Sequence, residues 1–273
     1  MSVTYTATLP IGEHTVTELT GLLEAERTRR GTRAGTRALS CSDQAVLILR
    51  WFFDGTPMTQ LARDSAISKS TAYDYLHEGI DVLAAQAPDL KAALEQARAA
   101  GYSHVSIDGT LIATDRCSAP GPTPGVDLWW SGKHHHHGGN GQVMTVPDGW
   151  PIWTSEVRPG REHDTAAVRA HPEILPALTA IHDDLRTLGD LGYEGEAGTI
   201  TVAFKTPAQG RLTTVQQLFT TVHNGIRAVG ERGHALLKMT FRALRRLSLD
   251  PWRIGKIVAA ALVLLHLEHH STT

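Results

Sequence analysis

At Gly101 the chain changes period. Upstream, apolar residues recur at helical spacing; downstream, Tyr102-Ser103-His104-Val105-Ser106-Ile107-Asp108 alternates apolar and polar residues as a strand does. An all-helical or all-β fold cannot accommodate both patterns, so the chain mixes α and β, with helices leading.

The helical part reads from residue 40. Ser42-Asp43-Gln44 is suited to begin a helix at Ser42, whose apolar face is Val46, Leu47, Leu49, Trp51 and Phe52, and Gly55-Thr56-Pro57 ends it. Residues 58–65 give a short helical pattern, Ala66-Ile67 a turn, and residues 68–76 a second helix. This spacing fits a helix-turn-helix, whose second helix enters the major groove with its N-terminal polar residues near base edges. Lys69, Ser70, Thr71 and Tyr73 would then face DNA. An ordinary helical hairpin fits the same pattern. Residues 84–101 are Ala-rich, with Leu90, Ala93, Leu94 and Ala97 at helical spacing, and link this module to the rest.

Beyond the change of period, residues 102–108 and 110–114 read as two strands of a hairpin turning at Asp108-Gly109. Residues 118–125 form a Pro/Gly loop. Residues 142–146 and 152–157 are strand-like, 164–180 helical, 185–188 and 200–204 again strands. Helices are expected over 213–227, 231–247 and 251–269. The apolar run 254–267 contains Lys256 and His266 and falls short of the roughly 20 residues that span a bilayer, so it reads as a buried helix.

Composition narrows the function classes. In 273 residues there are two cysteines, too few for a disulfide scaffold or a four-cysteine zinc site. The first ten residues lack the basic-then-apolar signature of a secretory signal, and a cytoplasmic protein with no membrane partner is expected. Net charge is −2, but between Lys205 and Lys256 ten Lys/Arg stand against two acids. Arg27, Arg29, Arg30, Arg33 and Arg37 make a second basic cluster. Such runs are usually solvated faces unless a neighbouring site needs phosphate.

Three acids supply that site. Asp108 closes an apolar strand, Asp190 follows the short strand at 185–188, and Glu231 opens Glu-Arg-Gly-His-Ala-Leu-Leu-Lys. Alone, each reads as a turn, a strand end or a helix cap. Together, with 81 residues between the first two and 40 between the last two, they can line one cleft. Carboxylate oxygens suit Mg²⁺ or Mn²⁺, and two such ions support in-line attack on a phosphodiester. Asp164 competes for the second position, although His163-Asp164 fits better as the cap of a helix starting at Thr165. His134 to His137 invites a transition metal, but consecutive residues on a strand point to alternate faces, which favours a structural or DNA-facing role.

The sequence resembles the DDE transposases of bacterial insertion sequences, in the branch related to Harbinger elements. The resemblance is carried by Ile107-Asp108-Gly109-Thr110, Trp130-Ser131-Gly132-Lys133-His134-His135-His136-His137-Gly138, His163-Asp164, Asp190-Leu191-Gly192-Tyr193-Glu194-Gly195, and Arg227/Glu231/Lys238. Asn224 stands where the family often has an aromatic residue, and Leu191 where lysine is usual. The resemblance implies the α/β class, with an N-terminal arm over 1–39, a helix-turn-helix DNA-binding module with its linker helix over 40–100, and a ribonuclease-H-like catalytic domain over 101–273. It implies Asp108, Asp190 and Glu231 as catalytic metal ligands for two Mg²⁺ (or Mn²⁺) ions, with His163 and Asp164 as neighbours of the site. Arg227 and Lys238 would meet DNA phosphates, and Lys133 would face DNA. The expected partners are double-stranded DNA, as terminal inverted repeats and target, and further copies of the chain on that DNA, in a nucleoid-associated protein. A purely hydrolytic nuclease of the same fold and a catalytically silent DNA-binding derivative are the alternative readings.

Overall fold

In the computed structural model, residues 8–269 are described; residues 1–7, which include most of the stretch read for a secretory signal, and residues 270–273 lie outside them. The helical part comprises α1 (Glu13–Arg29), α2 (Cys41–Asp54), α3 (Met58–Asp64), α4 (Lys69–Ala84) and α5 (Leu90–Ala99). Local chemistry sets their ends. The Ser40 hydroxyl accepts the Asp43 N–H to cap α2, so the helix starts before the expected Ser42, and Gly55 ends it at φ 64°. Ser68 caps α4 through the Thr71 N–H, and Asp89 caps α5 through the Ala92 N–H.

The sheet is built from β1 (His104–Ala113), β2 (Trp130–Ser131), β3 (His136–Thr145), β4 (Pro151–Thr154), β5 (Arg158–Pro159), β6 (Arg186–Leu188) and β7 (Ile200–Thr201). Its spatial order is β2-β3-β1-β6-β7, with β4 and β5 also paired to β3. β1 runs antiparallel to β3 but parallel to β6, and β6 parallel to β7, so the sheet is mixed. A mixed α/β fold of this kind is consistent with the ribonuclease-H-like expectation. The helices of this part are α6 (Asp164–Ala170), α7 (Ile174–Ala180), α8 (Thr214–Thr240) and α9 (Ile254–His269).

Three local expectations are corrected. No hairpin turns at Asp108-Gly109: both residues pair in unbroken register with Val143 and Gln142 of β3, and that ladder outweighs the turn preference of Asp-Gly. The helix expected over 164–180 is two, because Pro172 forces His171 into extended geometry (φ −102°, ψ 98°). The helices expected over 213–227 and 231–247 merge into α8, which ends at Phe241; Gly230 interrupts nothing, so Glu231 sits inside a helix rather than opening one.

Both sheet faces are covered. On one, Val105, Ile107, Met144 and Ile152 pack with Leu94 of α5, Val168 of α6 and Leu178 of α7. On the other, Ile112 and Val143 join a core that runs through α9 into α1, α2 and α4. α9 is apolar nearly all round, from Ile254 to Leu265, as a helix buried between layers must be. Among the described residues no helix is long and apolar enough to cross a membrane.

Much of the basic character is consumed internally. Buried Glu78 receives Arg37 and Gln44, with Arg30 at 3.4 Å, and Arg27 donates to the Leu39 carbonyl and to Gln44. Arg29 pairs with Glu26, Lys205 with Glu194, Arg246 with Asp115, and Arg253 and Lys256 with Asp81. The N-terminal arginines are thus mainly a frame for the helical core.

His266 offers a stability test. Its Nε2 lies 2.7 Å from the Pro151 carbonyl and its ring stacks on Trp150. Burial holds its imidazole below the ordinary value, against the contrary pull of that carbonyl. The unfolded chain therefore binds the proton first, and stability falls as pH drops below about 6.5. Urea unfolding at stepped pH should show this loss, with a shallower slope in His266→Phe; an unchanged slope would remove His266 from the explanation.

Candidate active site

Strand register brings two of the three acids together. Leu188 of β6 lies beside Ser106 of β1 in parallel pairing. Two residues further on come Asp108, still on the Ser106 face of β1, and Asp190, just past the end of β6, close enough that the Asp108 charge acts on it. α8 lies over the same face, because a Cβ on Gly230 would stand only 3.0 Å from the Ser106 Cβ and the Thr145 hydroxyl. At that closeness a larger residue would crowd Ser106 and Thr145.

α8 then presents its side chains to Asp108. His234 Nε2 is 3.3 Å from one carboxylate oxygen and Arg227 is 3.9 Å from the other. Burial pushes the Asp108 carboxyl up, but the His234 hydrogen bond and charge, the Arg227 guanidinium and the Gly109 N–H together hold it below its ordinary value. Asp190 is shifted the opposite way: burial raises it most, the Gly192 N–H at 2.8 Å opposes, and the nearby Asp108 and Asp164 raise it further. Two carboxylates that disfavour each other's charge form a place where a cation is stabilising.

The third acid stands apart. Glu231 lies between Arg227 and His234 along α8 but is exposed. At about 100° per residue it is turned roughly 40° from Arg227 toward solvent. Among the described residues no three His, Cys, Asp or Glu side chains are grouped closely enough to hold one ion. Mg²⁺ is usually held by one or two carboxylates with waters and substrate phosphate, and Asp108 with Asp190 meets that requirement. Lys238, two turns beyond Glu231, donates to the Leu111 carbonyl at 3.0 Å, and burial lowers its ammonium below the ordinary lysine value despite Asp108.

Asp164 reaches the same region from the other side of β1. Successive strand residues face opposite ways, so Asp108 points to α8 and Gly109 to α6. A Cβ on Gly109 would run into the Asp164 carboxylate, so only glycine leaves that carboxylate its place. Asp164 is the first residue of α6, behind His163 as cap position, and neither side chain makes a capping bond. Its carboxylate instead accepts from Asn140 at 3.0 Å, and Lys133 stands 4.0 Å away. Asn140 accepts from Gln142, and Gln142 from the buried Tyr193 hydroxyl, tying Asp164 to the loop that carries Asp190.

A cavity of about 420 Å³ opens on this far face, lined by Gly109, Trp130, Lys133, His134, His163 and Asp164 among others. Asp108, Asp190 and Glu231 do not line it. His134 to His137 are split: His135 turns at φ 56°, His136 and His137 enter β3, and His134 faces the cavity. In the helical module Lys69 and Ser70 are exposed at the start of α4, Thr71 and Tyr73 half-buried, and the Lys69 ammonium lies 5.8 Å above the Tyr73 ring. His234, Asn140 and Gln142 stand at the site without having been expected there. His234, seven residues after Arg227 and thus on its side of the helix, was the one legible in spacing.

Two solved structures align with the chain at low similarity. The Mos1 transposase paired-end complex with left transposon end is 12% identical, with 87% of this chain and 85% of that one covered and a TM-score of 0.22. The Mos1 strand transfer complex is 11% identical, with 96% and 97% covered and a TM-score of 0.21. Scores this low carry no argument about the fold. No curated protein matches the sequence. The profile of a family described as DDE superfamily endonuclease matches residues 107–266, from within β1 into α9 and more than half of the chain. The chain therefore belongs to the DDE superfamily of endonucleases.

Proposed function

We propose that the protein is a transposase of a bacterial insertion sequence, in the Harbinger-related branch, that cuts DNA at element ends and joins the freed 3′ end to target DNA. The observation that carries this reading is the parallel pairing of Ser106 with Leu188, which brings Asp108 and, just past the end of β6, Asp190 within electrostatic reach of one another and of Arg227 on α8. On this reading the catalytic domain is ribonuclease-H-like, and Asp108, Asp190 and Glu231 hold two Mg²⁺ or Mn²⁺ ions. The bound ions supply charge stabilisation to the attacking and leaving oxygens of an in-line displacement.

The chain's own residues prepare that site. Arg227 and His234 fix the Asp108 carboxylate and favour its ionised state. The Gly192 N–H fixes Asp190. On this reading Glu231, one turn beyond Arg227 on α8, turns inward to join the two aspartates when the ions bind. Lys238 contributes a phosphate contact if it releases the Leu111 carbonyl. On this reading Lys133, exposed at the cavity, follows the DNA backbone. Start-of-helix residues Lys69, Ser70, Thr71 and Tyr73 form the proposed major-groove reader, joining as copies of the chain assemble on the element ends.

The exposure of Glu231 favours a second reading, a transposase-derived protein that binds DNA without cutting it. The two are separated with a labelled duplex carrying the element end and either metal. Cleavage followed by joining supports transposition, cleavage alone a hydrolytic nuclease, and end-specific binding without cleavage the silent protein.

In the same assay Asp108→Asn, Asp190→Asn and Glu231→Gln should reduce cleavage to background. Asp164→Asn, which acts on a carboxylate behind β1, should cost only about 10- to 100-fold. Activity surviving in Asp190→Asn but lost in Asp164→Asn would exchange their roles. Lys69→Ala should weaken binding to all duplexes and lower the salt slope by about one. If its affinity and salt slope match wild type, α4 is not the DNA-facing helix.

A further inference from the structure

The N-terminal half of α8 is almost bare. From Thr214 to Ile226 only His223 is buried, and Val215, Leu218 and Val222 are 77, 65 and 53% exposed. Phe219 and Ile226 are exposed as well. What holds this segment to the body is slight: the Phe204 N–H donates to Thr220, Phe204 meets Phe219 edge-on, and His223 meets the Gly189 carbonyl. The segment is rich in β-branched Thr and Val, which are weaker helix formers.

The exposed apolar residues are ordered. Positions 215, 218, 219, 222 and 226 fall on a single stripe, and it continues the face that buries Gly230, Gly233 and Leu237 against the sheet. Past the end of the sheet the stripe runs on uncovered. Residues 213–226 contain no Asp, Glu, Lys or Arg, in a chain that is 20% charged.

We propose that a second copy of this chain packs on the stripe, stripe against stripe about a two-fold axis. The charge pattern selects this occupant. DNA needs cations that the stripe lacks, and a charged protein surface would be desolvated against it without a counter-charge. An uncharged apolar seam is matched by another of its kind, and two-fold pairing provides one from the same chain. Phe204 and Phe219 supply the large aromatic anchor that such interfaces favour. The pairing leaves the acids free, since Glu231 lies roughly 140° round the helix from Ile226. One continuous helix thereby carries the dimer seam at its start and Arg227, Glu231 and His234 at its middle, fixing the spacing of two clefts. This inference does not depend on the transposase reading.

Sedimentation of the full chain without DNA, over a micromolar dilution series, tests it. Wild type should be dimeric, whereas Leu218→Glu/Val222→Glu and Leu218→Lys/Val222→Lys should each be monomeric with unchanged far-UV circular dichroism. Mixing the two variants should restore a dimer, because opposite charges then face each other across the seam. Amide protection over 214–226 should rise with wild-type concentration. A monomeric wild type, dimeric charge variants, a mixture that stays monomeric, concentration-independent protection, or association that requires added DNA would each overturn the proposal.

Discussion

The close approach of α8 to β1 and β3 governs the site. With Gly230 over Ser106 and Thr145, the helix axis comes near enough for Arg227 and His234 to reach the Asp108 carboxylate. Each of the neighbouring features follows from that distance. Lys238 reaches the Leu111 carbonyl, Leu237 is buried, and the same helix end that lacks a sheet beneath it is left with its apolar stripe in solvent. A side chain at position 230 would press on Ser106 and Thr145 and strain this approach.

Opposed carboxylate shifts give the cleft its electrical character. Asp108 is held down by His234, Arg227 and the Gly109 N–H, while for Asp190 burial and the other acids outweigh the Gly192 N–H and the Arg227 guanidinium. β1 divides the acids physically: Asp108 faces α8, and Asp164 occupies the space that Gly109 leaves on the opposite face. The Tyr193-Gln142-Asn140 chain then couples Asp164 to the Asp190 loop from behind. Asp164 is in this way a neighbour of the site with a structural partner set of its own.

Charge bookkeeping from sequence overstated the surface available to DNA. Arg27, Arg30 and Arg37 were read as a basic cluster, yet they converge on Glu78 and Gln44, because a buried carboxylate is costly unless paired. Arg253 and Lys256 similarly converge on Asp81, joining α9 to α4. Sequence spacing cannot reveal such pairs, since their members lie far apart in the chain.

The sequence by itself determined the elements whose signals are local: the helices α2 to α5, the change to strand at Gly101 and the buried α9. These depend on periodicity and on side chains meeting their own backbone. It misjudged Asp108-Gly109 and Gly230, where a turn residue and a helix breaker lie inside regular elements. There the decisive partner is distant: β3 for the first, Ser106 and Thr145 for the second. Only the tertiary structure decided that Asp108 meets His234, that Asp164 stands behind β1, and that Glu231 faces solvent. Those outcomes are set by strand register and helix approach, which depend on contacts between segments that the linear order does not encode locally.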